Sequence, residues 1–404
     1  MSTRVTVVGI GADGWTGLSE AARELVFGAA VVLGGERHLA MLPDVPEQIR
    51  QAWPSPLREQ LPAMLEPFDG YDVVALASGD PLVSGIATTL VEVLGKDAVT
   101  VVPALSSVAL ARARMRWSAE STEVVTLVGR DPHLVARSLA PGVRLLVLSS
   151  DGSTPAEVAA LLTAAGYGAS PMTVLSDLGA SDEARIDGVA ASWRDQTVPT
   201  LNVVAVELAS SGARPLGFVA GLPDDAFEHD GQITKRDVRA SALARLAPVP
   251  GQLLWDVGAG AGSVGIEWLR AHPTCRAIAI EAREERASRV ARNASTLGVP
   301  ALAVVTGRAP AALEGLEAPH AIFIGGGATE EGLLDACWDA LLPGGRLVVH
   351  GVTLETESLL AHRYAVVGGE LTRLHVEHAA PIGTFTGWTP SRAIMQWAVT
   401  KGGS

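Results

Sequence analysis

A glycine-rich turn is the stretch of this sequence best suited to bind a ligand. An apolar run over residues 253–257 predicts a buried parallel strand, and a helix is predicted to begin at Ser263. The turn between them should let backbone N–H groups come close to a ligand. It consists of Gly258, Ala259, Gly260, Ala261 and Gly262.

Two acidic residues flank this turn. Asp256 comes directly before it, and Glu281 ends the next predicted strand, 277–280. An acid at the end of that strand is placed to accept hydrogen bonds from both hydroxyls of a ribose. The turn and the two acids together predict a site for a nucleotide-like ligand.

Two ligands fit this pattern. Gly260, Gly262 and Gly265 match G-x-G-x-x-G, the dinucleotide fingerprint, in which the helix N-terminus faces a pyrophosphate. Asp256 would then repel the phosphates, whereas the same carboxylate can face the ammonium group of S-adenosylmethionine (SAM). Charge complementarity therefore favours SAM. A nicotinamide oxidoreductase and a SAM-sensing module without enzymatic activity stay open as alternatives.

Composition limits the class of protein. The 404 residues allow two domains of about 100–200 residues each, and 48% hydrophobic with 19% charged residues is typical of a globular protein. The net charge of −13 argues against nucleic acid and anionic membrane as partners. Two cysteines and the absence of a signal peptide or an apolar span lead us to expect a cytoplasmic protein. The histidines show no metal-ligand spacing, so we expect no metal site.

In the first half of the chain, strands repeatedly end in small residues. One such turn is what any connection from strand to helix prefers, but several at the carboxyl ends of parallel strands line one crevice. Turns of this kind follow strands predicted at 4–10, 29–35, 71–77, 99–102 and 123–128. Further elements are strands predicted at 144–148 and 200–208 and helices at 18–30 and 154–165.

The residues in these turns form a recognisable set. They are Gly9-x-Gly11, Gly34-Gly35-Glu36-Arg37-His38-Leu39, Ser78-Gly79-Asp80-Pro81, Pro103-x-x-Ser106-Ser107 and Gly129-Arg130. The set resembles the tetrapyrrole methylase family and, within it, the precorrin-6Y C5 methylases. This resemblance implies that SAM lies folded in a cleft between two α/β subdomains. It implies cofactor contacts from Gly9, Gly11, Gly79, Asp80, Ser106, Ser107 and Gly129.

Alternating strands and helices in the second half predict a parallel doubly wound, Rossmann-like sheet. Strands are predicted at 303–306, 321–324 and up to residue 349, and a helix at 284–297. Besides the glycine turn and Glu281, the distinctive motifs are Gly221-x-Pro223-Asp224-x-x-Phe227, Thr234-Lys235-x-x-Val238-Arg239, Gly307-x-Ala309-Pro310, Gly325-Gly326, Pro343-Gly344-Gly345 and Leu354-Glu355-Thr356.

These motifs resemble the class I SAM-dependent methyltransferases that methylate precorrins at C15 and decarboxylate them. The resemblance implies cofactor contacts from Thr234, Asp256, residues 258–262, Glu281, Ala309 and Gly325. The family usually has an acid where this chain has Arg308, so a carboxylate contact to the adenine amino group is not expected from that position.

Together the halves resemble the bifunctional precorrin methyltransferases of cobalamin biosynthesis. The resemblance implies a C5-methylating domain at 1–208 and a C15-methylating, decarboxylating domain at 220–404. Small, polar and Pro/Gly-containing residues from position 209 predict a linker between them, at 209–219. The implied reaction converts precorrin-6B to precorrin-8 with two SAM and release of CO2. No catalytic residue is assigned, because an activated methyl donor and a carbon nucleophile require mainly positioning. We also expect a homo-oligomer.

An anionic tetrapyrrole substrate needs local cations in a chain of this net charge. Thr234 is predicted to cap a helix on which Lys235, Arg236 and Arg239 share one surface. We expect Lys235 and Arg239 to bind substrate carboxylates in the second half and Arg130 to do so in the first. Arginine suits this task because its planar group binds a carboxylate through two hydrogen bonds. The alternative is a solvated helix surface.

Overall fold

The chain divides into two compact units. The computed structural model describes residues 3–193, 197–209, 212 and 214–402. The first unit contains the described residues of 1–132 and 141–213, and the second contains those of 133–140 and 214–404. Residues 210, 211 and 213 of the predicted linker lie outside the described residues. Residues 133–140 fall inside the predicted first domain but group with the second unit, where Arg137 Nη2 donates to the carbonyl of Arg270 at 3.0 Å.

The first unit begins with a parallel sheet. Its elements are β1 (Val5–Ile10), α1 (Glu20–Gly28), β2 (Val31–Gly34), α2 (Glu36–Ala40), β3 (Ile49–Ala52), α3 (Leu57–Leu65), β4 (Val73–Ser78), α4 (Ile86–Leu94) and β5 (Val99–Val102). The strand order is β3-β2-β4-β1-β5, and all pairs are parallel. Ile10 pairs with Ser78 at the carboxyl ends of β1 and β4. The turns that follow these two strands therefore lie side by side.

A second, mixed sheet completes the first unit. Its elements are α5 (Ser107–Met115), β6 (Thr122–Thr126), β7 (Arg144–Leu148), α6 (Thr154–Ala164), β8 (Pro171–Ser176), β9 (Ala184–Val189) and β10 (Asn202–Glu207). The order is β6-β7-β10-β8-β9, and only β6 and β7 pair in parallel. The two sheets confirm the predicted pair of α/β subdomains.

The second unit is built on one seven-stranded sheet. Its elements are α7 (Arg236–Leu246), β11 (Leu253–Val257), α8 (Ser263–Ala271), β12 (Arg276–Glu281), α9 (Glu284–Thr296), β13 (Ala303–Thr306), β14 (Ala321–Ile324), α10 (Leu333–Ala340), β15 (Arg346–Gly351), α11 (Leu354–Val367), β16 (Glu370–Leu374), β17 (Glu377–Ile382), β18 (Phe385–Pro390) and β19 (Ile394–Thr400). The strand order is β13-β12-β11-β14-β15-β19-β16.

The predicted parallel sheet has one exception, because β19 runs opposite to the other six strands. The strands from β11 to β15 are parallel, but β19 runs antiparallel to both β15 and β16. Only the β17–β18 hairpin lies between β16 and β19 along the chain. A connection without a crossover helix returns the chain in the opposite direction, so the final strand pairs antiparallel.

Apolar side chains cover both faces of this sheet. Leu254 of β11 packs in a cluster with Val264 and Trp268, while Trp255 of the same strand packs in another cluster with Trp397. A strand buried on both faces is apolar along its whole length, which is why 253–257 could be recognised in the sequence. No helix of the described chain is long and apolar enough to cross a membrane.

Candidate functional site

A cavity lies at the carboxyl edge of the second unit's sheet. Its volume is about 440 Å³, within the range of roughly 300–1,000 Å³ typical of small-molecule sites. Residues that follow β11, β12, β13 and β14 line it, together with the segment 231–235. The chain order of the strands reverses between β11 and β14, and ligands of open α/β sheets bind at such a switch point.

The glycine turn requires glycine for two separate reasons. Gly260 and Gly262 have φ values of +59° and +75°, which residues with a side chain rarely adopt. A Cβ on Gly260 would lie 2.8 Å from the carbonyl oxygen of Gln232, and one on Gly262 would lie 2.7 Å from Val290 Cγ1. The turn can therefore pack beneath the segment 231–235 and against α9 only without side chains at these positions.

Most N–H groups of the turn already have partners within the chain. Gly258 N and Ala259 N donate to the carbonyl of Ile280 at 2.9 and 3.1 Å, and Gly260 N donates to Glu281 Oε2 at 2.9 Å. A pyrophosphate at this helix N-terminus would need such donors for itself. The geometry therefore disfavours the dinucleotide alternative.

Glu281 holds the turn to the end of β12. Its side chain is 5% exposed and lines the cavity. Oε2 accepts from Gly260 N, and Oε1 accepts from Arg283 N at 3.0 Å. An ionised carboxylate has about four acceptor positions, so each oxygen can still accept a ligand hydroxyl. This arrangement fits the predicted ribose contact.

Asp256 occupies a different position from the one predicted. It is 1% exposed, it is not among the described residues that line the cavity, and its Oδ2 accepts from Gly265 N at 2.9 Å. The predicted contact with the ammonium group of SAM is therefore corrected. The carboxyl group instead fixes the first turn of α8 against β11. A Cβ at position 265 would lie 3.1 Å from Asp256 Oδ2, so this close approach favours glycine there.

Burial makes the Asp256 carboxyl group hard to ionise. It raises the pKa of Asp256 to about 7, opposed by the hydrogen bond from Gly265 and reinforced by the charge of Glu281. The same group in an unfolded chain has a pKa of about 3.9. The folded state therefore binds this proton more tightly, so the stability it contributes is present below about pH 4 and is lost as the pH rises to about 7.

Replacing Asp256 with Asn should remove this loss of folding stability at high pH. The amide oxygen can still accept from Gly265 N, and no charge is buried. We expect the free energy of unfolding at about pH 8 to rise above that of the wild type, by as much as about 4 kcal/mol. Urea denaturation at about pH 5 and pH 8 would measure the difference, which should be larger at pH 8. An equal difference at both pH values would contradict the assignment.

The predicted cofactor residues of the second unit fall into two groups. Those that line the cavity are Thr234, Gly258, Ala259, Gly260, Glu281, Ala309 and Gly325. Ala261 and Gly262, like Asp256, are not among the described lining residues. Ala261 instead accepts a hydrogen bond from Asn293 Nδ2 at 2.9 Å through its carbonyl. The structure thus separates residues that can touch a ligand from residues that shape the turn.

Arg239 is not a substrate clamp. Its side chain is completely buried. Nε donates to Glu267 Oε1 at 2.6 Å, Nη1 donates to Asp224 Oδ1 at 3.2 Å, and the carbonyl groups of Leu222 and Thr234 accept further hydrogen bonds. Four of its five N–H donors are used within the chain, and Arg239 is not among the described residues that line the cavity. The prediction failed because the sequence does not show whether a given surface of a helix faces solvent or packs against the rest of the protein.

The predicted cap of α7 is also wrong, whereas Lys235 lies at the cavity. Helix α7 begins at Arg236 with Lys235 at the N-cap position, and no side chain caps it. Thr234 therefore does not cap the helix. Lys235 lines the cavity and lies 3.6 Å from Asp224 through its Nζ, so of the two cations predicted to bind substrate here, Lys235 alone reaches the cavity.

Replacing Arg239 with Gln should destabilise the second unit by about 3–5 kcal/mol, because Glu267 would keep a buried charge without its partner. The matched control is Arg214→Gln, which breaks the exposed ion pair with Asp225 and should cost less than about 1 kcal/mol. Urea denaturation followed by tryptophan fluorescence would compare the two variants. Unchanged stability together with a raised KM for the tetrapyrrole would instead support the prediction that Arg239 binds a substrate carboxylate.

Arg308, Glu330 and His350 line the cavity but were given no role from the sequence. Arg308 Nη2 pairs with Glu330 Oε2 at 2.6 Å, and both residues line the cavity. His350 lines it from β15 and is 6% exposed. The sequence signal that could have identified His350 is its position, because it directly follows the strand predicted to end at residue 349.

A smaller cavity lies in the first unit. Its volume is about 80 Å³, below the range typical of ligand sites. Gly11, Gly79 and Ser107 line it, so the structure brings together turns that are distant in sequence. Leucines 105, 110, 175, 178 and 201 make its other walls largely apolar.

The remaining predicted residues of the first unit shape the turns around this cavity. Gly9 lets β1 come close to the turn that follows β4, because a Cβ on Gly9 would lie 2.0 Å from the carbonyl oxygen of Gly79. Asp80 Oδ1 accepts from Leu82 N at 2.9 Å, and Ser106 caps α5 by accepting from Ala109 N at 3.1 Å. Gly129 N donates to Ser150 Oγ at 3.2 Å. None of these four is among the described residues that line the cavity.

The arginine that lines the first unit's cavity is Arg37. Its Nη2 lies 3.2 Å from Ser78 Oγ and 2.9 Å from His38 Nε2. Burial, reinforced by the charge of Arg37, lowers the pKa of His38 to about 4. Arg130 is exposed and is not among the described lining residues. The motif Glu36-Arg37-His38 was singled out in the sequence, but Arg37 was given no role.

The described residues contain no group of three or more His, Cys, Asp or Glu side chains that could hold a metal ion. Both cysteines are free and buried.

The switch-point cavity and its acid at the end of β12 define the second unit as a class I SAM-dependent methyltransferase fold. The precorrin methyltransferase domain family matches residues 225–401, and the tetrapyrrole (corrin/porphyrin) methylases match residues 4–192. Methyltransferase families of this type use SAM. The chain belongs to the family of precorrin-6Y C(5,15)-methyltransferases (decarboxylating), since relatives with that name match it along nearly its full length.

Two relatives and one solved structure illustrate this similarity. The precorrin-6Y C(5,15)-methyltransferase (decarboxylating) of Sinorhizobium sp. is 46% identical over 403 residues, which cover 100% of this chain and 97% of the relative. That of Mycobacterium tuberculosis (strain H37Rv) is 46% identical over 402 residues, covering 98% of this chain and 100% of the relative. The C-terminal domain of precorrin-6Y C5,15-methyltransferase from Rhodobacter capsulatus has 46% identity and a TM-score of 0.44, covering 46% of this chain and 100% of that one.

Proposed function

We propose that this chain methylates a precorrin at C5 and C15 and releases the carboxyl group of its C12 acetate as CO2, in cobalamin biosynthesis. The overall reaction converts precorrin-6B to precorrin-8 with two SAM. The observation that carries the proposal is the acid-lined cavity at the switch point of the second unit. It lies in a chain 46% identical over 403 residues to a relative with the corresponding name.

The two activities are divided between the two units. The first unit matches the tetrapyrrole methylases and is assigned C5 methylation. The second matches the precorrin methyltransferase domain and is assigned C15 methylation and decarboxylation. Each unit binds one SAM, although the cavity of the first is narrow, at about 80 Å³. The chain acts as a homo-oligomer.

The residues of the second cavity fit SAM. Glu281 accepts the ribose hydroxyls, and Gly258, Ala259 and Ala309 leave backbone and small side chains beside the ligand. The carboxylate of Glu281 at the cavity wall suits a cationic ligand. When bound, SAM supplies an electrophilic methyl group. The chain contributes mainly orientation, which can lower a barrier by roughly 7–11 kcal/mol.

Loss of CO2 is a reaction of the substrate itself. The bond between the acetate methylene and its carboxyl carbon breaks, and the electron pair moves into the conjugated macrocycle. A proton from water then adds to the methylene carbon, which becomes a methyl group. Leu333, Val352 and Ile394 contribute apolar side chains to the cavity wall.

Titration of the full chain with SAM should show two sites. Replacing Glu281 with Ala should weaken only one of them, by about 10- to 150-fold, because two hydrogen bonds to a charged acceptor are lost. Calorimetry on the wild type and the variant would measure both affinities. A single site in the folded wild type would contradict the proposal, and unchanged affinities in the variant would contradict the ribose contact.

Mass spectrometry of the product formed from precorrin-6B and SAM tests the activity itself. Product with two added methyl groups and one CO2 lost is expected. SAM binding without methyl transfer would instead favour the binding-module alternative.

The first unit offers a test between two arginines. If Arg37 binds a substrate carboxylate, Arg37→Gln should raise the KM for C5 methylation by about tenfold or more, with C15 methylation unchanged. Arg130→Gln is the matched comparison, because Arg130 is exposed and was the residue predicted from the sequence. Steady-state rates of the two methylations would decide between them. An effect of the Arg130 variant alone would support the original assignment.

A further inference from the structure

His350 lies at a distinct end of the second unit's cavity. Its strand β15 is beyond β14 in the sheet, whereas Glu281 and Gly307 follow β12 and β13 on the other side of β11. We call the part lined by His350, Val352 and Ile394 the β15 end of the cavity. The proposed ribose site is at the opposite end, so the β15 end is where the methyl acceptor can approach.

A neighbouring amide fixes the proton of His350. One end of the Gln396 amide lies 3.1 Å from Arg245 Nε, 3.3 Å from Arg245 Nη1 and 3.2 Å from Ser241 Oγ. A guanidinium group only donates hydrogen bonds, so this end is the oxygen. The amide nitrogen then donates to His350 Nε2 at 2.9 Å, and a neutral ring must carry its proton on Nδ1.

The Nδ1–H group of His350 is left for a ligand. Among the described residues Nδ1 has no hydrogen-bond partner. It is also not one of the unpaired side-chain atoms that are fully buried, so part of its surface is accessible. The ring itself is fixed, since Gln396 holds Nε2 and Phe323 meets the ring edge-on with centroids 4.9 Å apart. The cavity therefore contains one oriented neutral donor at the β15 end.

We propose that His350 donates this N–H to the substrate carboxylate that leaves as CO2, and so positions it for decarboxylation. This inference rests on the proposed function of the second unit. The other described residues that line the β15 end are apolar, and the nearby Glu330 is bound to Arg308. His350 is therefore the polar side chain available there to orient a carboxylate.

A neutral donor suits this step better than a cation. The carboxylate loses its charge as the carbon–carbon bond breaks, so an ion pair would stabilise the reactant more than the transition state. One N–H from a neutral ring fixes the orientation with a weaker preference for the reactant. Burial lowers the pKa of His350 to about 4, which keeps the ring neutral at neutral pH. The charged group near the ring is Arg245 of α7. It contacts Gln396, which lies between it and His350, and it forms an ion pair with Glu370.

The tautomer can be tested without turnover. Nitrogen-15 NMR of the histidine side chains in the full chain, with His350→Asn used to assign the signal, should show His350 protonated on Nδ1. Gln396→Glu should move the proton to Nε2, because a carboxylate accepts where the amide donated. A wild-type ring protonated on Nε2 would overturn the inference.

The role is tested by the ratio of CO2 released to methyl groups transferred to C15. His350→Asn retains an N–H near the Nδ1 position and should keep a ratio close to that of the wild type. His350→Gln places its amide near the Nε2 position and should lower the ratio by about tenfold or more. Gln396→Glu, which leaves His350 in place, should lower it as well. SAM affinity should stay unchanged in all three variants.

The outcomes separate this inference from the proposed function. If the wild type transfers no methyl group to a precorrin, the proposed function fails. If the wild type is active and both His350→Gln and Gln396→Glu keep its ratio, the role of His350 fails alone. Thermal unfolding of each variant identifies one that does not fold, and the Gln396→Glu variant together with NMR then still decides the question.

Discussion

The buried ion pair between Arg239 and Glu267 holds the second unit's cavity together. Glu267 accepts from Arg239 Nε at 2.6 Å and also from the backbone N–H groups of Gly221 and Leu222 at 2.6 and 2.9 Å. Arg239 in turn binds the carbonyl groups of Leu222 and Thr234. The pair thus fastens the whole segment before α7 to α8, and that segment forms one wall of the cavity. Charged groups can be buried in this way because nearly all of their hydrogen-bonding capacity is used.

The charges around the cavity are arranged in pairs. Arg286 binds Asp230 at 2.9 Å, Arg308 binds Glu330 at 2.6 Å, and Lys235 lies 3.6 Å from Asp224. An anionic substrate must compete with these acids for each cation, which limits long-range attraction in a chain of net charge −13. Shape, hydrogen bonds and the neutral donor of His350 then gain importance relative to ion pairs.

Much of the second unit could be predicted because the signals are local. The strands 253–257, 303–306 and 321–324 have the predicted bounds, because each is a short run that directly precedes a glycine. The glycine turn and Glu281 lie together at the cavity because carboxyl ends of parallel strands share one edge. In the first unit, β8 and β9 were not predicted, and β9 is a largely exposed edge strand without a clear apolar pattern.

The sequence by itself determined the two α/β units, the glycine turn, the acid beside it and the family to which the chain belongs. Only the tertiary structure decided which polar side chains face a ligand. Arg239 and Asp256 turn into the protein, while Arg37 and His350 face cavities, although the sequence emphasised the first two. The reason is physical: residue type and spacing fix the local backbone, but the direction and partners of a charged side chain depend on elements distant in sequence, as the contacts of Arg239 with Glu267 and of His350 with Gln396 demonstrate.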